Sequence, residues 1–261
     1  MIILLLVLML GPSDSTPGKL NAEEIIQKSV QALKHDWEVA HEFECSERDR
    51  DAKGTKTYED LMIAGSPYQE LVSVNGTPLP PVQAADENKK LEQAISERQG
   101  ESAQQKAQRM AKYEADQRRN HRMMEQMAKA FDFKVTGSGR LNGHDVYVLK
   151  ATPRVGYQPP DMETQALTGM QGRLWIDKNT FEWVKVEAEV TRPVSIEGFL
   201  AQVEPGTHFE LEKAPVAPGV WSAKHFSMRS HAKILFLIPH DGQEDDPYFN
   251  YHKAASHQAM R

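Results

Sequence analysis

The sequence contains one cysteine, Cys45, in 261 residues, so neither an internal disulfide nor a cysteine-rich zinc site holds the fold. It lacks a block of one charge: 31 Lys and Arg face 37 Asp and Glu, a formal charge of −6. Without a basic face to neutralise phosphates, nucleic acid is not an expected partner. No apolar run is long enough to cross a bilayer, because Met1–Leu10 as a helix reaches about 15 Å, half of a ~30 Å hydrocarbon core. Catalytic signatures are missing too: there is no Gly-x-Ser-x-Gly elbow, no Walker loop and no His-Glu-x-x-His. Gly137-Ser138-Gly139-Arg140-Leu141-Asn142 lacks the third glycine of a dinucleotide fingerprint and sits between strands. His225 and His231 share a strand parity, but six residues of strand separate them by about 20 Å, too far for one ion. The acidic stretch Asp241–Asp246 does not have the alternating ligands of a calcium loop. Asp49 and Asp51 fall in a polar turn, where nothing raises a carboxyl pKa for acid catalysis. No catalytic residue, metal ligand or cofactor is assigned, and the chain is read as not an enzyme.

What is present points to export and to strands. Met1–Leu10 followed by Gly11, Pro12, Ser13 and Ser15 fits a signal peptide over residues 1–17, atypical in having no basic residue before Lys19. A periplasmic or otherwise exported protein follows. Asn21 caps a helix with Glu23 and Glu24 in its first turn and Ile26, Val30, Leu33 and Trp37 along one stripe. From Val39 the period falls to two, with Val39, His41, Phe43 and Cys45 on one parity. Tyr58–Ala64 and Tyr68–Val74 continue as strands, the second ending at the hairpin dipeptide Asn75-Gly76.

Residues 82–130 form a helical insert rich in Glu, Lys, Arg, Gln, Ala and Met. Leu91 and Ile95 alone anchor its first half, whereas Met123, Met127 and Phe131 recur every four residues in its second. After Phe131 the chain returns to period two, in strands near 133–137, 144–152, 172–177, 181–192, 208–213 and 220–238. In the last, Phe226, Met228, Ala232, Ile234 and Phe236 share one parity, and His225, Ser227, Arg229, His231 and Lys233 the other. One face is dry and the other wet. Long strands with short turns imply an α+β fold built on one large, curved antiparallel sheet.

These residues resemble a known family. Gly65-Ser66-Pro67-Tyr68, Val74-Asn75-Gly76-Thr77-Pro78-Leu79, Asn142-Gly143-His144-Asp145-Val146-Tyr147-Val148-Leu149 and Gly172-Arg173-Leu174-Trp175-Ile176-Asp177-Lys178 look like outer-membrane lipoprotein-sorting proteins of the LolA/LolB/RseB-like superfamily. The resemblance covers about residues 20–253. It implies one domain, 18–253, with a tail at 254–261, folded as an incomplete barrel whose concave apolar face is lidded by the N-terminal helix and the insert. It also implies a monomeric, non-enzymatic carrier of lipid or lipoprotein acyl chains, with a membrane protein as a further partner. The alternative is an interaction or sensor domain that docks a protein partner on the same sheet. The expected cavity lining is Leu174, Ile176, Val184, Val186, Phe209, Leu211, Phe226, Met228, Ile234 and Phe236, with Met123, Met127 and Phe131 as lid residues. A carrier is expected to keep a cavity of about 300 to 1,000 Å³ open.

Overall fold

The structure, a computed structural model, describes residues 20–196, 201–234 and 238–255. The signal segment expected at 1–17 and all but the first two residues of the expected tail lie outside the described residues. Helix α1 (Ala22–Val39) starts at a reciprocal cap, in which Asn21 Oδ1 accepts from the Glu24 amide and the Glu24 carboxylate accepts from the Asn21 amide, both at 2.9 Å. Its core stripe runs through Ile25, Ile26 and Leu33, all buried. Val39 ends the helix and does not begin a strand, which corrects the period-two reading at that residue.

Four strands follow: β1 (Phe43–Asp51), β2 (Gly54–Ile63), β3 (Ser66–Val74) and the short β4 (Thr77–Pro78). The insert is two helices, α2 (Pro81–Gln99) and α3 (Ala103–Ala130). The second opens at a capping box formed by Ser102 and Gln105. The remaining strands are β5 (Phe131–Leu141), β6 (His144–Pro153), β7 (Met170–Asp177), β8 (Trp183–Val190), β9 (Val194–Ile196), β10 (Ala201–Val203), β11 (His208–Ala217), β12 (Val220–Ile234) and β13 (Ile238–Lys253). The acidic stretch Asp241–Asp246 is thus part of a 16-residue strand.

All thirteen strands belong to one antiparallel sheet in the order β4-β3-β2-β1-β13-β12-β11-β8-β7-β6-β5, with β10 pairing β12 and β9 pairing β10 to one side. It is not closed: β4 and β5 are its two ends. Non-glycine residues adopt the left-handed conformation where its tightest turns need it, at Asn75 and Asn142, each followed by a glycine that does the same. Among the described residues, no helix is long and apolar enough to cross a membrane.

The main core lies between α1, the C-terminal half of α3 and one face of β5–β8 and β11. β8 carries a bulge at its start, since Trp175 pairs with Lys185 but Ile176 pairs with Trp183. The extra residue, Val184, lets Trp183 and Val186 share the helix-covered face. Val184 itself packs with Val146 and Trp221 in a second, smaller cluster, whose Val146 and Val148 alternate with the core residues Tyr147 and Leu149 along β6.

Candidate functional site

Under α1 and α3 lies an apolar slot. Its roof is Ile26 and Val30 of α1 with Met127 and Ala128 of α3, and its floor includes Phe131, Phe133, Ala151, Leu174, Trp183, Val186, Ala188 and Phe209. The accessible wall is wholly apolar, and the free space is only about 20 Å³. That is room for little more than one water-sized sphere, so among the described residues this slot is far smaller than the cavity of several hundred Å³ expected of a carrier. Gly172 fits here because its partner strand comes too close for a side chain, a Cβ falling 2.4 Å from the Glu187 carbonyl oxygen.

The slot borders a second space of about 800 Å³, an open groove between α1, α3 and the start of β5. Ile26, Val30, Ala128 and Phe133 line both. The groove's other walls are polar, among them Glu23, Gln31, Lys34, Glu125, Lys129, Asp132 and Arg154. Lys34 and Glu125 pair across it at 3.0 Å, and both side chains are half exposed, so that bridge adds at most about 1 kcal/mol.

The two helices are fastened differently. Ser29 on α1 accepts from Trp183 Nε1 at 3.2 Å, and Asp36 accepts from the Trp221 amide at 2.8 Å and pairs with Lys213 Nζ at 2.5 Å. Glu182 shares the same ammonium at 3.1 Å. All four polar side chains, Ser29, Asp36, Glu182 and Lys213, are buried. Burial, together with the charge of Asp36, pushes the Glu182 carboxyl up to about 7 against the opposing pull of Lys213. In the roof segment of α3, Met123, Met124, Met127 and Ala128 are only partly buried, and Arg122 pairs with Asp161 at 3.4 Å at the surface. His121 stacks on Trp37 with ring centroids 4.0 Å apart, and Tyr157 donates to Gln126 at 3.0 Å.

Of the residues expected to line a cavity, Leu174, Val186 and Phe209 line the slot, while Ile176 and Leu211 pack in the same core beside it. Val184 is on the other face, because the bulge reverses parity at that point. Phe226 and Met228 pair with Leu211 and Phe209 but are only half-buried and stand outside the helix-covered core. Ile234 ends β12 opposite Ile238, and Phe236 lies outside the described residues. Met127 roofs the slot and Met123 packs beside it. Phe131 is no lid residue: it opens β5 and belongs to the floor.

The polar anchors of α1 escaped the sequence reading, although a signal was present. Ser29 and Asp36 occupy the stripe of Ile26 and Leu33, and Lys213 shares the parity of Phe209 and Leu211. Polar residues at core positions mark a buried network.

No protein-family profile matches the sequence, and no curated protein matches it. Among solved structures, the chain is similar to a LolA-superfamily protein of Nitrosomonas europaea, at 11% identity and a TM-score of 0.33, over 92% of this chain and 96% of that one. It is similar also to a DUF1329-family protein of Desulfovibrio piger, at 9% identity and a TM-score of 0.33, over 90% and 94% of the two chains. A third similarity is to the MucA/MucB complex of Pseudomonas aeruginosa, at 10% identity and a TM-score of 0.23, over 87% and 99%. A likeness this distant assigns neither family, ligand nor partner.

Proposed function

We propose that the protein is an exported, non-enzymatic binder that holds an acyl chain of a lipid or lipoprotein in the slot, after the C-terminal half of α3 swings away from the sheet. The carrying observation is the apolar slot roofed on one side by a helix whose methionines over it are only partly buried. Magnitudes favour the exchange. Uncovering three half-buried methionines costs on the order of 1 kcal/mol each, whereas burying a long acyl chain gains about 0.8 kcal/mol per methylene. Methionine suits such a roof, since its unbranched side chain repacks against a ligand as readily as against the sheet. The adjoining groove leaves the polar end of the ligand in water, between the ion-paired walls of α1 and α3.

Native mass spectrometry of freshly isolated protein tests this. Bound, solvent-extractable lipid is the expected result. Protein that carries no lipid and takes up none from mixed micelles would refute the reading.

A further inference from the structure

The face that α1 and α3 cover over β5–β8 and β11 continues onto β12, β13 and β1, and there its chemistry changes. Register carries the face across the strands. Leu211 pairs with Phe226 and Phe226 with Asp246, while Phe209 pairs with Met228 and Met228 with Glu244. Glu47 pairs with Tyr248 on one side and Tyr58 on the other. Because alternate residues of a strand share a face, Glu47, Asp49 and Asp51 stand beside Glu244 and Asp246. These five carboxylates, with Tyr58, line a trough of about 320 Å³.

Two observations mark the trough as more than a solvated acidic face. Asp246 is 8% exposed, and its Oδ1 is buried without a hydrogen-bond partner. Buried polar atoms in folded proteins nearly always have one. The carboxyls also repel one another: burial first, then Asp60, Asp246 and Asp49, raise Glu47 against a hydrogen bond from Tyr248. Asp246 is raised by burial and by Asp49, Glu244 and Asp245, against a hydrogen bond from the Arg50 backbone. The Arg50 side chain pairs with Asp245 at 2.7 Å, and Lys56, opposite Asp49, is exposed.

Among the described residues, no three His, Cys, Asp or Glu side chains converge as a metal ion requires. Carboxylates spread along two neighbouring strands suit an extended cationic occupant better than a single ion. We propose that this trough docks an extended basic segment of a partner protein, whose arginine or lysine side chains enter between β1 and β13 and complete Asp246. A guanidinium presents five donors in a planar fork and satisfies several carboxylate oxygens at once. The half-buried Tyr58 and Phe226 offer surface for the apolar stems of such side chains. This docking is independent of the acyl-chain slot, which uses β5–β8 and β11.

Fluorescence anisotropy of a labelled hexa-arginine peptide against the full chain tests it. Saturable one-to-one binding is expected, weakening strongly as salt rises from about 50 to about 300 mM. The triple variant Glu47→Gln, Asp49→Asn, Asp246→Asn is expected to lose affinity tenfold or more. A control of equal charge change on the helices, Glu92→Gln, Glu114→Gln, Asp116→Asn, is expected to keep it. If the trough variant does not fold, the exposed pair Asp51→Asn, Glu244→Gln replaces it, with a several-fold loss expected. Absence of saturable binding to the wild-type chain, or equal losses in the trough and control variants, would overturn the proposal. So would calcium binding that the trough variant abolishes while the peptide fails to bind, which would make the site a metal site.

Discussion

Asp36, Glu182 and Lys213 place two buried carboxylates around one ammonium. Removing the ammonium leaves uncompensated buried charge, so Lys213→Met is expected to cost about 3 to 5 kcal/mol in urea unfolding at neutral pH. Glu182→Gln removes the surplus carboxylate and keeps the Asp36–Lys213 pair. Burial pushes the Glu182 carboxyl up to about 7 in the folded chain, against about 4.3 for an unperturbed glutamate. The folded state therefore holds a proton that the unfolded state has released, and stability falls as pH rises through that window. In Glu182→Gln this slope is expected to flatten, as read from unfolding free energies across the same pH range. An unchanged slope would place the titration elsewhere. Cys45 gives a second residue-scale expectation. Burial, then the charge of Asp60, pushes its thiol up to about 12, and it lies 8% exposed against Asp60. A thiol reagent near pH 8 should leave it unmodified until denaturant is added; rapid native labelling would contradict the packing. The sequence reading put Cys45 on a dry parity with Phe43 and Val39. Cys45 is indeed buried, but Val39 belongs to α1, and the neighbours Glu44 and Ser46 are buried as well.

At the level of elements, α2 shows what an apolar pattern leaves out. Leu91 and Ile95 are the large apolar anchors expected for the first half of the insert, and of these Ile95 is buried. The helix pair is also clasped to the β2–β3 turn by two arginines. Arg98 donates to the carbonyls of Ile63, Ser66 and Pro67, and Arg109 donates to Ser66 Oγ while pairing with Glu101 at 2.7 Å. Periodicity cannot show this, because an arginine that reaches a distant carbonyl looks the same in sequence as one facing water. Arg98→Ala is expected to cost about 1.5 kcal/mol and to speed amide exchange in α2 while leaving β7 and β8 protected. Equal protection in α2 and β8 would show that the clasp is not what holds α2. The strands were legible wherever period two was unbroken, as in β6, β7 and β11. β13 was not, because Gly242, Pro239 and a run of acids hide a strand whose two neighbours supply its register. The position of Val184 was lost to one inserted residue, which no alternation rule detects.

Across the whole molecule, one sheet face is divided between two environments: dry beneath α1 and α3, and acidic from β12 to β1. The antiparallel sheet, the N-terminal helix and the floor residues Leu174, Val186 and Phe209 could all be read from alternation. Closure of the slot could not, since how far α1 and α3 settle onto the sheet depends on Trp183, Ser29 and the Lys213 cluster meeting across more than 150 residues of chain. A filled slot and a displaceable roof make one substitution decisive. Val186 is 3% exposed on the slot floor, and Val186→Trp overfills the closed form, with an expected cost of about 1 to 3 kcal/mol. The most direct measurement is the affinity of a dansyl-labelled undecanoic acid for this variant and for the wild-type chain, under conditions in which both are folded. The wild-type chain is expected to bind the probe with a blue shift and Val186→Trp to bind it at least tenfold more weakly. Equal affinity in the folded variant, or no binding by the wild-type chain, would contradict an acyl-binding slot beneath α3.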